Sequence, residues 1–290
     1  MYGSIEAGGT KFVCAVGNNK FDILEKETIF TEEPNTTLKK VFDFFDCYNK
    51  VESIGVGSFG PIDIKKDSST YGYIKNTPKP LWQNFNFLEP LRKRYNIPVG
   101  WTTDVNIAAL GEATAGAGKN MNNVLYITIG TGVGGGAIIN GKILEGFGHP
   151  EMGHIKVHPH SLDNFTSICP YHSNCLEGLA SGPTLEEREG KNREDIKVND
   201  SVWDFIAYYL AQAIYNYTMV LSPNIIILGG GVMNNAHLLP KIKEELLKII
   251  DNYIKIPPLD DYLVTPKLKN NAGIIGGLIL AEKQQQNNKF

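Results

Sequence analysis

One stretch of the sequence, residues 149–175, concentrates the side chains that bind transition metals. It holds five of the six histidines and two of the four cysteines of the chain. Cys169, His172 and Cys175 follow one another at intervals of three residues, which brings three good zinc ligands into one short loop. His154 lies fifteen residues before Cys169 and can complete a tetrahedral set. The spacing predicts a zinc site made of these four side chains.

Other histidines leave the fourth ligand open. His149, His158 and His160 are alternatives to His154, and a histidine-rich surface loop without metal is the alternative to the whole site. Four protein ligands leave no coordination position for a substrate, so the zinc is predicted to be structural. We see no secretory leader pattern, expect a cytoplasmic protein with reduced thiols, and therefore favour a metal over a disulfide.

Two carboxylates are close in sequence to the predicted zinc ligands. Glu151 precedes His154 by three residues, and Glu177 follows Cys175 by two. Carboxylates that accept hydrogen bonds from neighbouring hydroxyl groups are typical of a sugar site. A metal that holds this loop therefore also orders two acids that can bind a sugar, without taking part in the chemistry.

Three glycine-rich turns follow apolar runs. They consist of residues Gly8, Gly9 and Thr10, of Gly130, Thr131 and Gly132, and of Gly229, Gly230 and Gly231. Glycine lets consecutive backbone N–H groups point into one concavity, which is what a polyphosphate requires. One such turn alone is more simply a tight hairpin. Three turns, two of which include a threonine, favour a nucleotide.

The second turn also matches the dinucleotide fingerprint, because Gly130, Gly132 and Gly135 have its spacing. That fingerprint needs a helix directly after the glycines, whereas the following residues read as a strand that ends at Asn140-Gly141, a hairpin signal. The Walker pattern does not occur either. Both of these phosphate-binding motifs are therefore rejected.

Asp104 stands between a predicted strand (IPVGWTT) and a predicted helix, at the edge where α/β sheets bind their ligands. An aspartate at a helix N-terminus is a common cap. It is also suited to orient a sugar hydroxyl and to accept its proton late in phosphoryl transfer. From the residues alone, both interpretations stay equally open.

The elements that must position these residues alternate between strands and helices, which indicates an α/β fold. The pattern of strand, glycine turn and return strand that opens the chain begins again at residue 123, so two related lobes are predicted, with a boundary near residues 104–122. The apolar stretch 203–221 contains polar residues and reads as a buried helix. Cys14 and Cys47 lie in apolar stretches and are predicted to be buried thiols.

Composition excludes some classes of function. The 290 residues are 42% hydrophobic with a net charge of -3. A slightly acidic chain gives no support to nucleic-acid binding, and no segment reads as a membrane span. A small-molecule substrate is the expected partner.

At this point the motifs resemble the ROK family of bacterial sugar kinases, within the hexokinase and actin-like ATPase superfamily. EAGGTK (6–11) resembles its first phosphate motif, ITIGTGVGGG (127–136) its second and IIILGGG (225–231) its adenosine motif. GHPEMGHI together with CPYHSNCLEGLASGP is similar to its sugar and zinc signature.

The resemblance implies a role for each matching residue. Asp104 corresponds to the catalytic base, and Glu151, His154 and Glu177 correspond to the sugar ligands. His154, Cys169, His172 and Cys175 correspond to the zinc ligands. The nucleotide and its phosphates would be held by the three glycine turns, that is by Gly8, Gly9, Thr10, Lys11, Gly130, Thr131, Gly132, Gly229, Gly230 and Gly231. ATP, Mg²⁺ and a structural Zn²⁺ are the implied cofactors.

The variants of these motifs are similar to the fructokinase branch, which phosphorylates the 6-hydroxyl of fructose. Two positions depart from the common family pattern: Glu6 stands where many relatives have aspartate near the Mg²⁺, and Thr103 stands where an asparagine usually precedes the catalytic aspartate. The second departure disfavours a glucose-type pose. Kinases for mannose, glucose or an N-acetylhexosamine remain the alternatives.

The implied fold is α/β, with two ribonuclease-H-like or actin-like lobes, an interlobe cleft and a zinc-binding loop, usually as a homodimer. The predicted lobes are residues 1–115 and 116–271, with a helix at about 272–284 that packs back on the first. A sugar-responsive repressor, which the family also contains, is expected to carry a DNA-binding segment ahead of the first glycine turn, and residues 1–7 offer no room for one. A non-catalytic sugar sensor is therefore the minor alternative.

Overall fold

The computed structural model describes residues 1–287, apart from the side chain of residue 194. The chain folds into two compact units. The first comprises Met1–Asn120, Lys142–Pro150 and the described residues from Lys267 onward, and the second comprises Met121–Gly141 and Glu151–Pro266. The predicted lobe boundaries stay a prediction; residues 142–150, which the sequence analysis placed in the second lobe, group with the first unit.

Regular elements alternate along the N-terminal part of the chain. In order they are β1 (Tyr2–Ala7), β2 (Lys11–Gly17), β3 (Ile23–Phe30), α1 (Pro34–Asp46), β4 (Ser53–Ser58), β5 (Tyr73–Ile74), β6 (Phe85–Asn86), α2 (Leu88–Tyr95), β7 (Val99–Thr103) and α3 (Asp104–Ala115).

The alternation continues in the remaining part of the chain. The elements there are β8 (Val124–Ile129), β9 (Val133–Ile139), β10 (Lys142–Ile143), α4 (Leu176–Ala180), α5 (Gly182–Glu189), α6 (Val202–Leu221), β11 (Ile225–Gly229), α7 (Leu238–Ile250), α8 (Leu259–Tyr262), β12 (Leu263–Val264) and α9 (Ala272–Asn287). Short 3-10 helices occupy Pro80–Trp82, Met152–His154, Arg193–Asp195, Gly231–Asn234 and Lys269–Asn271. The predicted α/β class is confirmed.

The first unit contains a five-stranded sheet in the order β3-β2-β1-β4-β7. β1 and β2 form an antiparallel hairpin, whereas β4 and β7 run parallel to β1. The register places Ala7 beside Ser58 and Ser58 beside Thr103, so these three parallel strands end in one row. Whatever follows each strand is therefore presented at the same carboxyl edge.

The second unit repeats this arrangement. Its sheet includes the order β9-β8-β11-β12, in which β8 and β9 are an antiparallel hairpin and β11 and β12 run parallel to β8. β11 is buried along its whole length, which its sequence IIILG predicts for a central parallel strand. The stretch predicted to be a buried helix is α6, and it packs against α7.

Small residues bring α9 against α3 and the first sheet. A Cβ at Gly276 would lie 1.7 Å from the carbonyl oxygen of Ile107, and one at Gly55 would lie 2.0 Å from that of Gly277. No side chain fits at either point, so backbone approaches backbone there. The helix predicted at about 272–284 is α9, and it packs against α3 and strands of the first sheet.

An aromatic cluster forms part of the first core. Trp82 is 1% exposed, and its ring lies within 6.1 Å, centroid to centroid, of the rings of Phe12, Phe59, Phe85 and Phe87. Burying a side chain of this size contributes roughly 1.5–3 kcal/mol. The cluster therefore fixes the irregular segment that contains Trp82 onto strand β2.

One of the two thiol predictions is wrong. Cys14 is buried in β2, but Cys47 is exposed at the C-terminus of α1, where its Sγ lies 3.4 Å from the carbonyl oxygen of Asp43. The helix ends there, and the face on which Cys47 lies is not covered by other elements of the core. Within the described residues, no helix is long and apolar enough to cross a membrane.

Candidate functional site

The first turn (residues 8–10) is the connection between β1 and β2. The N–H of Gly8 donates to the carbonyl oxygen of Lys11 at 3.0 Å, and Thr31 closes the turn from outside by donating to the carbonyl oxygens of Gly8 and Thr10. Among the residues that the structure describes, no acceptor pairs with the amides of Gly9 and Thr10. Two adjacent unpaired amides on a constrained turn are suited to bind an anion.

Asp104 is the first residue of α3 and directly follows β7. The preceding Thr103 caps the helix, because its hydroxyl accepts the N–H of Asn106 at 3.2 Å. Asp104 accepts the N–H of Val105 at 2.8 Å and is only partly buried. The carboxylate is thus held at the helix N-terminus but is not enclosed, and the strand register places it at the same sheet edge as the first turn.

Glu6 shares this edge. Burial and, to a smaller extent, the negative charge of Asp104 raise the pKa of its carboxyl group to about 7, and Lys11 opposes both. A Cβ at Gly273 would lie 2.5 Å from the Glu6 carboxylate, so only glycine at the start of α9 leaves room for this acid. Two carboxylates that repel each other at a partly buried edge are a donor set that fits a hard divalent cation such as Mg²⁺.

The second turn (residues 130–132) is the connection between β8 and β9. The N–H of Gly130 donates to the carbonyl oxygen of Gly132 at 2.8 Å, and the carbonyl oxygen of Gly130 accepts the N–H of Gly182 at 2.7 Å. The amides of Thr131 and Gly132 find no acceptor within the described part of the chain. The two hairpin turns therefore share one pattern, in which the first amide is tied and the next two are available.

A carboxylate is bonded to the end of the second turn. Glu177 accepts the N–H of Val133 at 2.9 Å through Oε2, and a Cβ at Gly132 would lie 2.5 Å from the same oxygen. Glu177 is in the first turn of α4, directly after Cys175. The second turn is thus connected through this carboxylate to the segment that contains the predicted metal ligands.

The third turn (residues 229–231) follows β11. Gly230 has a φ of 90°, a left-handed conformation, and a Cβ there would lie 2.3 Å from the carbonyl oxygen of Ile129. Only glycine is therefore compatible with this position. A Cβ at Gly231 would lie 3.3 Å from Nη1 of Arg193, which places a cationic side chain beside the predicted adenosine motif.

The four predicted zinc ligands lie together. One ligand atom from each of His154, Cys169, His172 and Cys175 lies within 4.8 Å of the others. The Sγ of Cys169 is 3.6 Å from Nδ1 of His172 and 3.9 Å from Nδ1 of His154. Tetrahedral zinc, with bonds of about 2.0–2.3 Å, separates its ligand atoms by about 3.3–3.8 Å. Both the donor types and the spacing therefore fit this ion.

The other three histidines lie elsewhere. A Cβ at Gly60 would lie 3.4 Å from Nε2 of His149, and the ring of His160 packs edge-on against that of Tyr208 at 4.8 Å. The backbone of His158 is bonded to Gln212. Among the described residues, the His/Cys cluster contains His154 and none of these three. The geometry therefore selects His154 from the alternatives that the sequence left open.

Burial raises the pKa of the Cys175 thiol to about 11, so the metal-free protein keeps this thiol protonated. A coordinated metal would deprotonate it. His154 directs Nδ1 toward the cluster, while its Nε2 lies 3.8 Å from Oε1 of Glu177. One nitrogen of this imidazole thus points toward the cluster, and the other lies near a carboxylate.

A buried ion pair holds the segment before Cys169. Arg188 Nη1 and Asp163 Oδ1 are 2.6 Å apart, with side chains only 6% and 4% exposed. Tyr209 donates to the other Asp163 oxygen at 2.6 Å, and the Arg188 guanidinium lies 3.9 Å from the ring centroid of Phe165. The hydrogen bonds from Arg188 and Tyr209 outweigh burial and lower the pKa of Asp163 below its usual range. Burial, together with the hydrogen bond to Asp163, raises the pKa of Tyr209 to about 12. The irregular loop is therefore attached to α5 and α6 without a metal.

Sequence reasoning missed Lys79, Arg193 and the pair Asp163–Arg188. Lys79 lies in the sequence TPKPLW, where flanking prolines indicate a rigid loop, and that pattern was the one available signal. Arg193 stands in a polar stretch to which the sequence assigns no function. Asp163 lies within residues 149–175, but only the histidines, the cysteines and Glu151 were singled out there. The proximity of these side chains to a turn or to each other arises only from tertiary contacts.

Comparison with known proteins gives a consistent result. The ROK family model matches residues 2–284. The chain is 48% identical to a fructokinase of Pediococcus pentosaceus over 99% of both proteins. A ROK hexokinase from Thermus thermophilus aligns with a TM-score of 0.82 at 25% identity over 99% of both chains. A ROK glucokinase from Streptomyces griseus, solved with glucose and AMPPNP, aligns with a TM-score of 0.76 at 23% identity over 97% of this chain and 99% of that one.

Proposed function

This chain belongs to the ROK family, and we propose that it is a fructokinase, which transfers the terminal phosphoryl group of ATP to the 6-hydroxyl of fructose. The observation that carries this proposal is the 48% identity to a fructokinase over nearly the whole length of both chains. The site residues support the same reaction, because the chain combines glycine turns with free amides, a carboxylate at a sheet edge and a pair of acids near a His/Cys cluster.

Phosphoryl transfer asks little covalent chemistry of a protein, so binding and electrostatics must account for most of the rate. In our proposal the amides of Gly9, Thr10, Thr131 and Gly132 hold the phosphate oxygens. The third turn, through Gly229, Gly230 and Gly231, holds the nucleoside. Mg²⁺ would be held near Glu6 and Asp104, where it supplies positive charge to the phosphates.

Asp104 is assigned as the base. Its carboxylate orients the 6-hydroxyl and accepts the proton as the oxygen attacks phosphorus. A helix N-terminus stabilises the ionised carboxylate and so makes it a weaker base. The hydroxyl proton is therefore transferred late, after the bond from the sugar oxygen to phosphorus has begun to form. Capping of α3 is carried out by the Thr103 hydroxyl, so the Asp104 carboxylate is not required as the helix cap.

The acids Glu151 and Glu177, with Nε2 of His154, are assigned to the sugar hydroxyls. Glu177 uses Oε2 on Val133, and Oε1 remains near His154. A zinc ion held by His154, Cys169, His172 and Cys175 would fix these groups without an open coordination position, so its role is structural. The ion would lower the ordering cost of sugar binding.

The choice among sugars is tested by ADP release from the purified protein with ATP and Mg²⁺. Fructose, mannose, glucose, N-acetylglucosamine and N-acetylmannosamine are compared by kcat/KM. We expect fructose to give the highest value. A higher value for another hexose would retain a sugar kinase but reject fructose as its substrate, and no turnover by zinc-loaded protein would reject the kinase in favour of a sensor.

The homodimer and the cytoplasmic location remain predictions. Light scattering during gel filtration distinguishes a monomer of 32.0 kDa from a dimer of twice that mass. The dimer is expected with and without sugar, and a monomer at all concentrations would contradict it.

A further inference from the structure

A lysine side chain lies over the first turn. A Cβ at Gly9 would lie 3.1 Å from Cε of Lys79, so the end of this side chain contacts the backbone whose amides are unpaired. Lys79 is partly buried, and Gly9 leaves the space that it occupies. The ammonium group, one bond beyond Cε, is therefore close to the peptide groups of the turn.

The backbone of Lys79 is fixed at this place. Its N–H donates to the hydroxyl of Thr77 at 3.4 Å, and its carbonyl oxygen accepts the N–H of Trp82 at 3.0 Å. Trp82 is buried in the aromatic cluster, and its indole N–H donates to the carbonyl oxygen of Glu32 at 2.8 Å. Prolines 78 and 80 restrict the chain on both sides. The loop thus holds the Lys79 side chain over the first turn, so that little conformational entropy is lost when an anion binds there.

Within the described residues, no carboxylate is paired with this cation. In the part of the chain that the structure describes, no carboxylate lies within 4.0 Å of the Lys79 ammonium and no acceptor is bonded to it. The nearby Lys75, in contrast, donates to the hydroxyl of Thr70 at 3.1 Å. An unpaired, partly buried ammonium beside two unpaired amides forms a donor set for an anion with several oxygens.

We propose that Lys79 binds the phosphoryl group that is transferred, and that its ammonium stabilises the charge on the equatorial oxygens during transfer. This inference rests on the proposed kinase function and adds a residue to it. The bond from phosphorus to the β,γ-bridging oxygen breaks as the bond to the sugar oxygen forms. ADP leaves, the hydroxyl proton passes to Asp104, and Lys79 exchanges neither atoms nor electrons.

A cation placed at the transferred group acts more strongly in the transition state than on either bound substrate. Its removal should therefore lower kcat by about 100- to 1000-fold and leave the fructose KM within about threefold. ADP lacks the transferred group, so its dissociation constant should also change less than about threefold. A non-hydrolysable ATP analogue should bind about tenfold more weakly, because one charge-assisted contact is lost.

The test compares Lys79→Met, Lys79→Arg and wild type. Methionine keeps much of the side-chain length without the charge, and arginine keeps the charge, so Lys79→Arg should recover at least about tenfold of the lost kcat. Lys75→Met is the matched control, since it removes one lysine charge from the same segment four residues away, and its kcat should stay within about twofold. Thermal unfolding of each variant separates a folding defect from loss of the charge.

Other outcomes would overturn the inference. An unchanged kcat in Lys79→Met, a fall in thermal stability that accounts for the loss, or a rise in fructose KM alone would each contradict it. An equal weakening of ADP and of the ATP analogue would place the ammonium on another phosphate. The sugar that wild type turns over fastest is used throughout; if no sugar reacts, the kinase proposal fails separately, and the two nucleotide affinities still test Lys79.

Discussion

The first and second turns have the same backbone pattern but different surroundings. In each, the first glycine amide is bonded across the turn and the next two amides are available. The first turn has the Lys79 side chain over it, whereas Glu177 is bonded at the end of the second. The same hairpin thus acquires a cation in one unit and a carboxylate in the other. In this protein the partner supplied by tertiary structure, and not the turn itself, distinguishes the two sites.

The two regions also differ in what holds their functional groups. Asp104 and the first turn lie at the ends of regular strands, where the hydrogen-bonded register fixes them. His154, Cys169 and Glu177 come from short helices and irregular segments, which depend on one buried ion pair and on the four-ligand cluster. The first site is therefore expected to form without metal, and the second to require it for full order.

The largest effect is expected at Asp104. Asp104→Asn should lower kcat by about 100- to 10,000-fold, because it removes the base while keeping the size of the side chain. ATP affinity in the absence of Mg²⁺, measured by calorimetry, should change little, since no glycine turn is altered. Turnover close to that of wild type would show that Asp104 only occupies the helix start.

Loss of the metal should destabilise the second unit and leave the first unit unaffected. Cys175→Ser, or a chelator, should remove about one zinc per chain and destabilise the second unit by about 3 kcal/mol, which corresponds to about 6–12 °C in Tm. Hydrogen exchange should increase around residues 154–177 and stay unchanged near Asp104. Elemental analysis checks the metal, and Cys47→Ser, at an exposed thiol outside the cluster, is the control. Full zinc in Cys175→Ser would refute this ligand set.

Glu6 makes the stability of the first unit depend on pH. The sign of this dependence is opposite to that expected for an acid in an ion pair. Because its folded pKa is about 7 and its ordinary value is 4.5, the folded protein retains a proton that the unfolded chain releases between these values. The free energy of unfolding should therefore decrease as pH rises through this window, by about 3 kcal/mol. Glu6→Gln removes this contribution. Thermal unfolding without Mg²⁺ at about pH 5 and about pH 8 should show a smaller decrease for the variant than for wild type.

Two alanine substitutions in the turns are expected to have the smallest effects. Neither Gly9 nor Gly132 has a positive φ, so alanine is compatible with both backbones. Gly132→Ala places Cβ 2.5 Å from the bonded Glu177 oxygen and should cost about 1–2 kcal/mol of stability, with a higher fructose KM. Gly9→Ala meets only the flexible end of Lys79 at 3.1 Å and should lower kcat about threefold without changing Tm. If the two variants changed Tm and the kinetic constants to the same extent, the two turns would not differ in their partners.

Local pattern was sufficient for much of this protein. The period of apolar residues predicts the strands around each turn and the helices α3, α6 and α9, because the buried faces of an element require apolar residues at regular spacing. The spacing of Cys169, His172 and Cys175 predicts their proximity, since so few residues separate them. Asp104 is found for the same reason, as it stands at a boundary between two strongly patterned elements.

Contacts between distant segments could not be read in this way. Cys47 was assigned to the interior because its neighbours are apolar, yet the helix ends there and exposes it. The choice of His154 over three other histidines depends on how residues 152–178 pack against one another. Lys79 is some seventy residues from Gly9 in the chain, and only the burial of Trp82 in the aromatic cluster brings it there.

The sequence by itself therefore determined the fold class, the three glycine turns, the acids that can act and three of the four members of the metal cluster. These properties depend on residue types and short spacings, which local sterics and hydrophobic periodicity control. Tertiary structure alone decided which histidine completes the cluster, which charge accompanies each turn and how strongly Glu6 holds its proton. Those properties depend on burial and on distances between remote segments, and packing sets both.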